Sequence, residues 1–147
     1  MPETIYPHMG RADTYLWAKF LQEFPDRFQD YQYDVRVGRG ALIPDALEEP
    51  YRRMATALSQ RRIDVLARDD DATVIIEVKP YPGISAVGQL LAYQVLYQND
   101  HPDLPPALLH LICAVLDRDL RSVLHAQNIT HTIVPLDAEE LLALAVP

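Results

Sequence analysis

Asp64, Glu77 and Lys79 are the side chains of this chain best placed to do chemistry. They lie in residues 61–79, RRIDVLARDDDATVIIEVK, where two strand-like runs are joined by acidic turn residues. A tight connection centred on Asp70 and Asp71 sets Arg62 opposite Lys79, Asp64 opposite Glu77 and Leu66 opposite Ile75. Directly opposed residues of an antiparallel pair share a face, with Cβ atoms about 5 Å apart. Alternation puts Glu77 and Lys79 on that same face and Val78 on the other. Two carboxylates opposed within apolar runs repel one another and lose solvent. A divalent cation removes that repulsion. Mg²⁺ in particular is held by one or two carboxylates, keeps several waters and shares substrate phosphate oxygens. Lys79 beside such an ion can orient a water or stabilise charge developing on a phosphoryl group. The plainer alternative is a surface hairpin in which Arg62 or Lys79 pairs with the acids.

The pattern resembles the PD-(D/E)xK nuclease superfamily, which includes archaeal Holliday-junction resolvases, RecB-like nucleases and many restriction endonucleases. The resemblance rests on Asp64, on Glu77-Val78-Lys79, and on Gln89 and Tyr93 of GQLLAY, which match a Q-x-x-x-Y helix motif. It covers Arg61 to Tyr93 well and the rest of the chain only through the order of its elements. Ile63 stands where the family name has proline. The resemblance implies that Asp64, Glu77 and the backbone carbonyl of Val78 bind Mg²⁺, with Mn²⁺ as the alternative ion. It implies that Lys79 positions the attacking water and that Gln89 joins the catalytic group. Many members carry an acid on the first helix, for which Asp13 is the best match, and a candidate further metal ligand, and Glu23 the second. The implied fold is α/β, a restriction-endonuclease-like αβββαβ core whose central mixed sheet is flanked by helices. The implied function is a divalent-metal-dependent nuclease that hydrolyses phosphodiester bonds, in DNA, through metal-activated water. The alternative is a catalytically inactive nucleic-acid-binding or assembly module on the same fold.

The elements that must position these residues can be read from periodicity. From Arg11 to Phe24, Tyr15, Leu16, Phe20, Leu21 and Phe24 recur at helical spacing, with Trp17 off that stripe. Residues 31–38 read as a strand with Tyr31, Tyr33, Val35 and Val37 on one face. Glycines and prolines make residues 39–60 a loop insertion, with a short helix from Tyr51 to Leu58. A helix from about Ser85 to Gln98 follows Pro80-Tyr81-Pro82-Gly83, with Val87, Leu90, Leu91 and Val95 as its core stripe and Gln89 and Tyr93 sharing a face. Residues 108–116 form a buried strand interrupted only by His110. Asp117 caps a helix that runs through Ala126, Ile129 to Val134 form a last strand, and Ala138 to Ala145 a terminal helix. Strand and helix then alternate as in α/β packing.

At 147 residues the chain is expected to be one domain, with its motif region at 61–93. The net charge of −8 argues against avid, nonspecific nucleic-acid binding. Its distribution softens this, because residues 1–79 hold 11 of the 13 Lys and Arg. Arg36, Arg39, Arg52, Arg53, Arg61 and Arg62 all fall in the half that carries the candidate site. Arg36, Arg52, Arg53, Arg62 and Tyr93 are the candidate substrate contacts, and the expected partner is nucleic acid, DNA in particular. No apolar run approaches bilayer length and no signal-peptide pattern opens the chain, so no membrane is expected and the expected compartment is the cytoplasm. Cys113, the single cysteine, sits in an apolar run and reads as a buried thiol. A homodimer is compatible with cutting two strands. The five histidines show no ligand spacing and are assigned no role.

Overall fold

The computed structural model describes residue 6 and residues 9–145. In chain order these form α1 (Arg11–Glu23), β1 (Gln29–Val37), α2 (Tyr51–Ser59), β2 (Arg61–Asp69) and β3 (Ala72–Val78). There follow α3 (Ile84–Asp100), β4 (Leu108–Cys113), α4 (Arg118–Ala126), β5 (Ile129–Ile133) and α5 (Ala138–Ala145). The strands make one five-stranded sheet in the order β1-β2-β3-β4-β5. The first three pair antiparallel, and β3, β4 and β5 pair parallel through the crossover helices α3 and α4. This is the expected mixed sheet flanked by helices, with α2 closing the 39–60 insertion.

Two apolar layers hold the sheet. On one face α3 and α4 pack Val87, Leu90, Leu120 and Leu124 against Ile63, Ile75, Leu109 and Leu111. On the other, α1 packs Leu16, Trp17 and Phe20 against Val65, Val74, Ile76, Val78 and Ile112. Because both faces of the central strands are covered, those strands read as continuous apolar runs rather than alternating ones.

Trp17 is fully buried and sits at the centre of the α1 layer, not beside it. It stacks on Phe20 at 5.4 Å between ring centroids and donates its indole N–H to the Tyr33 hydroxyl at 3.2 Å. Tyr15 and Phe24, expected in the stripe, lie outside it and are exposed. On α3 the buried residues are Ala86, Val87, Leu90, Tyr93 and Tyr97, and Val95 points to solvent. Each helix carries more apolar residues than one face can cover, and the sheet covers Leu16, Trp17 and Phe20 of α1 while leaving Tyr15 and Phe24 outside.

The face assignment in β1 needs correction. Tyr31 and Tyr33 pack on the α1 layer, whereas Val35 and Val37 belong to the α3 layer. The switch occurs at Asp34, whose φ of 55° is left-handed and breaks the pleat. β2 changes face at the same level, with Ile63 in the α3 layer and Val65 in the α1 layer. The ladder pairs Tyr33 with Val65 and Val35 with Ile63 but skips Asp34 and Asp64 between them.

The remaining elements follow their local chemistry. The β2–β3 turn is two residues long, Asp70 and Asp71, with Asp70 at a φ of 53°. Asp117 caps α4 by accepting from the amides of Asp119 and Leu120, and Asn128 turns out of it at a φ of 56°. In α5, Asp137 and Glu140 exchange backbone-to-carboxylate hydrogen bonds, and Lys19 of α1 reaches Glu140 at 3.0 Å. No helix among the described residues is long and apolar enough to cross a membrane.

Candidate active site

The register of the β2–β3 hairpin places the acids. Val65 pairs with Ile76, Leu66 with Ile75 and Asp69 with Ala72. This is the alignment expected from the turn, and Asp64 and Glu77 fall one step beyond its last pair. Both lie at the end of the sheet where β3 finishes. Ligand sites of open α/β sheets gather at the carboxyl ends of parallel strands.

Lys79 follows directly. Its amide donates to the Ile112 carbonyl at 2.9 Å, which carries the β3–β4 ladder one residue past the strand. The Pro80 carbonyl accepts from the amides of both Ala114 and Val115, fixing the chain as it leaves the sheet. Lys79 is thereby held by backbone bonds while its ammonium stays free to reach a partner.

Asp64, Glu77, Lys79, Gln89 and Tyr93 line one open cleft of 360 Å³, with Arg62 at its wall. Leu58, Gln60 and Arg61 complete the lining. Glu77 is 2 % exposed, one of two buried polar side chains in the described core. Burial, then the Asp64 charge, pushes the Glu77 carboxyl well above its ordinary range. Burial, then the Asp13 charge, pushes Asp64 up as well. Lys79 opposes both shifts without cancelling them. Tyr93 is pushed up to about 12, chiefly by burial and then by the Glu77 charge.

Asp13, in the first turn of α1, brings its carboxylate within 3.7 Å of the Lys79 ammonium. Glu23 closes the same helix at its other end, about 15 Å away at the α-helical rise. Arg62 is held by both oxygens of Asp34 at 3.3 Å, and the Asp34 charge adds to the upward push on Asp64. The other arginines expected to touch substrate, Arg36, Arg52 and Arg53, do not line the cleft. Arg36 stands opposite Arg62 on β1, Arg52 bonds the Pro44 carbonyl at 2.6 Å, and Arg53 pairs with Glu49 at 3.5 Å. Val78 is fully buried in β3 beside Ile112.

Arg61 and Asp34 are the site-side residues that sequence reasoning missed. A charged residue at a strand start looks like ordinary surface, and an aspartate at the middle of a strand signals only its backbone strain.

The donor set suits a hydrated divalent ion. Among the described residues no three carboxylate, imidazole or thiolate side chains converge into a cage of their own. Mg²⁺ does not need one, because it uses one or two carboxylates and completes its shell with water and phosphate oxygen. The Glu77 carboxylate is buried against the Asp64 charge, an arrangement that costs stability unless a cation is shared between them.

No family model matches the chain, and no curated protein matches it in sequence. Solved structures do match in fold. EndoMS, in a complex with double-stranded DNA, aligns at 17% identity and a TM-score of 0.51, over 90% of this chain and 48% of its own. A repair endonuclease from Pyrococcus abyssi aligns at 14% identity and a TM-score of 0.50, over 90% of this chain and 50% of its own. A protein of unknown function aligns at 14% identity and a TM-score of 0.53, over 90% and 64%. The chain therefore spans between about half and two thirds of the length of these structures. The restriction-endonuclease-like α/β fold expected from the motif is the fold of this chain.

Proposed function

We propose that this chain is a divalent-metal-dependent nuclease that hydrolyses phosphodiester bonds in DNA. The observation that carries this reading is the buried Glu77 carboxylate, facing Asp64 in a cleft that also holds the Lys79 ammonium. Asp64 and Glu77, with the Val78 carbonyl, would hold Mg²⁺ or Mn²⁺. When bound, the ion neutralises the paired acids, lowers the pKa of water and stabilises charge on the phosphate. Lys79 orients the attacking water by hydrogen bonding and supports the charge that grows on the phosphoryl oxygens. Asp13 steers that ammonium from behind. Gln89 and Tyr93 present an amide and a phenol from α3 to the phosphate, and Arg62, braced by Asp34, adds a fixed cation. Cutting both strands of a duplex calls for two such clefts, hence a homodimer. A reducing, cytoplasmic setting suits the single buried thiol of Cys113.

A second reading, a non-catalytic nucleic-acid-binding or assembly module, draws on the net charge of −8. One experiment separates the two. Purified chain is incubated with single-stranded, duplex, branched and mismatched DNA in Mg²⁺ and in Mn²⁺. The nuclease reading expects cleavage that Glu77→Ala and Lys79→Ala abolish while the fold persists. Intact DNA in every mixture overturns it.

A further inference from the structure

A second cavity, of 560 Å³, adjoins the carboxylate cleft, and Arg61 lines both. We infer that this cavity is a subsite for one unpaired nucleotide flanking the phosphate that is cut. The inference rests on the nuclease reading, since it takes a phosphodiester strand to lie in the carboxylate cleft.

The walls divide by chemistry. Arg61 and Arg39 supply two guanidinium groups, and neither has an ion-pair partner among the described residues. In a chain of net charge −8, most other arginines near the site are already committed, Arg62 to Asp34, Arg52 to Asp45 and Arg53 to Glu49. Two uncommitted guanidinium groups lining one cavity suit a phosphate, which they bind through paired N–H donors. Val37 and Leu96 provide an apolar floor. Asn99 and Asp100, on the last turn of α3, give the far wall an amide and a carboxylate that can meet the polar edge of a base. Phosphate, ring and base edge thus each find a matching surface, in a volume within the roughly 300–1,000 Å³ of small-ligand sites.

The loop forming this cavity is fastened rather than loose. The Gly38 amide donates to Asp100 at 2.9 Å, Gln60 donates to the Gly38 carbonyl at 2.7 Å, and the Ala41 amide donates to Ser59 at 2.8 Å. Gly38 and Gly40 both have left-handed φ, and a Cβ on Gly40 would lie 2.8 Å from the Thr56 carbonyl. Only glycine lets the loop close this tightly on α2 and hold Arg39 at the rim. A paired base cannot enter, because its partner strand would have to follow it. The substrate class is therefore DNA that is single-stranded, or has a nucleotide out of the stack, beside the cut.

Binding in EDTA tests the subsite without cleavage. A short fluorescein-labelled single strand, and a duplex of the same sequence, are titrated by anisotropy against wild type, Asn99→Trp and Arg39→Gln/Arg61→Gln. These positions are exposed, and unchanged thermal melting confirms the fold. Asn99→Trp fills the cavity and should weaken single-strand binding by about tenfold or more while leaving the duplex within about twofold. The double arginine variant should flatten the salt dependence of single-strand binding by about 0.7 in slope for each phosphate it no longer neutralises. Wild-type single-strand affinity in Asn99→Trp, or an equal weakening on duplex, overturns the subsite. The two readings fail separately. Cleavage in Mg²⁺ with Asn99→Trp binding intact removes the subsite alone. No cleavage, with single-strand binding weakened as expected, removes the nuclease reading and leaves a strand-binding cavity.

Discussion

The Lys79 ammonium lies 3.7 Å from the Asp13 carboxylate, so the first helix supplies a charge to a site otherwise built on the sheet. Asp13 is half-buried, and burial pushes its carboxyl up while Lys79 pulls it down. Supporting residues of this kind, which act through a ligand or its neighbour, typically change metal affinity by about 10- to 100-fold. Asp13→Asn should weaken Mg²⁺ binding by that order, measured by calorimetric titration, and lower cleavage with it. Glu23→Gln, at the far end of α1, should change neither. Equal effects from the two substitutions would remove Asp13 from the site.

Glu77→Gln should stabilise the metal-free chain at neutral and alkaline pH. Burial and mutual repulsion raise the folded pKa values of Glu77 and Asp64 above their unfolded ones. At low pH both groups are neutral in both states, and stability is at its full value. As pH rises past the unfolded values, the unfolded chain releases protons first, and the folded state loses stability until the raised values are passed. Melting in EDTA should therefore show the wild-type midpoint falling with pH over that window, and falling less in Glu77→Gln. A saturating divalent ion, at about a hundred times its dissociation constant, adds about 2.7 kcal/mol to wild type. For a chain of this size that is a rise of roughly 5–10 °C. Glu77→Gln should show little of it. A wild type indifferent to Mg²⁺ would sink the metal site.

The hairpin is legible in the sequence because its register depends only on a two-residue turn and a period of two. The acids Asp64 and Glu77, the lysine after them and the α3 glutamine follow from that register and the helix that succeeds it. What stays hidden has a physical cause in each case. The face switch leaves no trace in the hydrophobic pattern. In β1 the apolar alternation runs unbroken through Asp34, whose left-handed φ alone turns the second half over. β2 is apolar at consecutive positions, so either alternation looks apolar there. Trp17 escapes the helical stripe because α1 offers apolar residues on more than one side, and only the sheet selects among them. Arg61 joins two cavities that no one-dimensional pattern brings together.

Lys79→Met should separate chemistry from metal binding. Lys79 has no place among the proposed ligands, and its amide bond to Ile112 survives any side-chain change. Removing a group that stabilises transition-state charge typically costs about 10²–10³ in rate, about 2.7–4 kcal/mol. Single-turnover cleavage should fall by that order while the Mg²⁺-induced rise in melting temperature persists. If cleavage survives, Lys79 is only the counter-ion of Asp13.

His110 gives a pH dependence of opposite sign, independent of the acids. It is 2 % exposed, packed edge-on against Phe28 at 5.1 Å between ring centroids. The Thr130 hydroxyl donates to the Leu109 carbonyl, so it accepts from His110 Nδ1 at 2.7 Å. Nε2 is then the acceptor for the Thr132 hydroxyl at 2.8 Å, and the ring is satisfied as a neutral imidazole. Protonation would force Thr132 to turn its hydroxyl away, inside a core where the Arg27 charge opposes it more than the Asp69 charge favours it. Burial, followed by the Arg27 charge, accordingly pushes the His110 pKa down to about 3. Its folded pKa lies below its unfolded one, so it contributes stability that is fully present above about 6.5 and is lost as pH falls towards 3. The slope for one proton is about 1.4 kcal/mol per pH unit. Urea unfolding of Glu77→Gln and of Glu77→Gln/His110→Gln, which share the remaining acids and lack the Glu77 contribution, should differ by that slope between about pH 6 and 4. Parallel curves would mean that the ring is protonated in the folded core and that Nε2 donates to Thr132 instead of accepting from it.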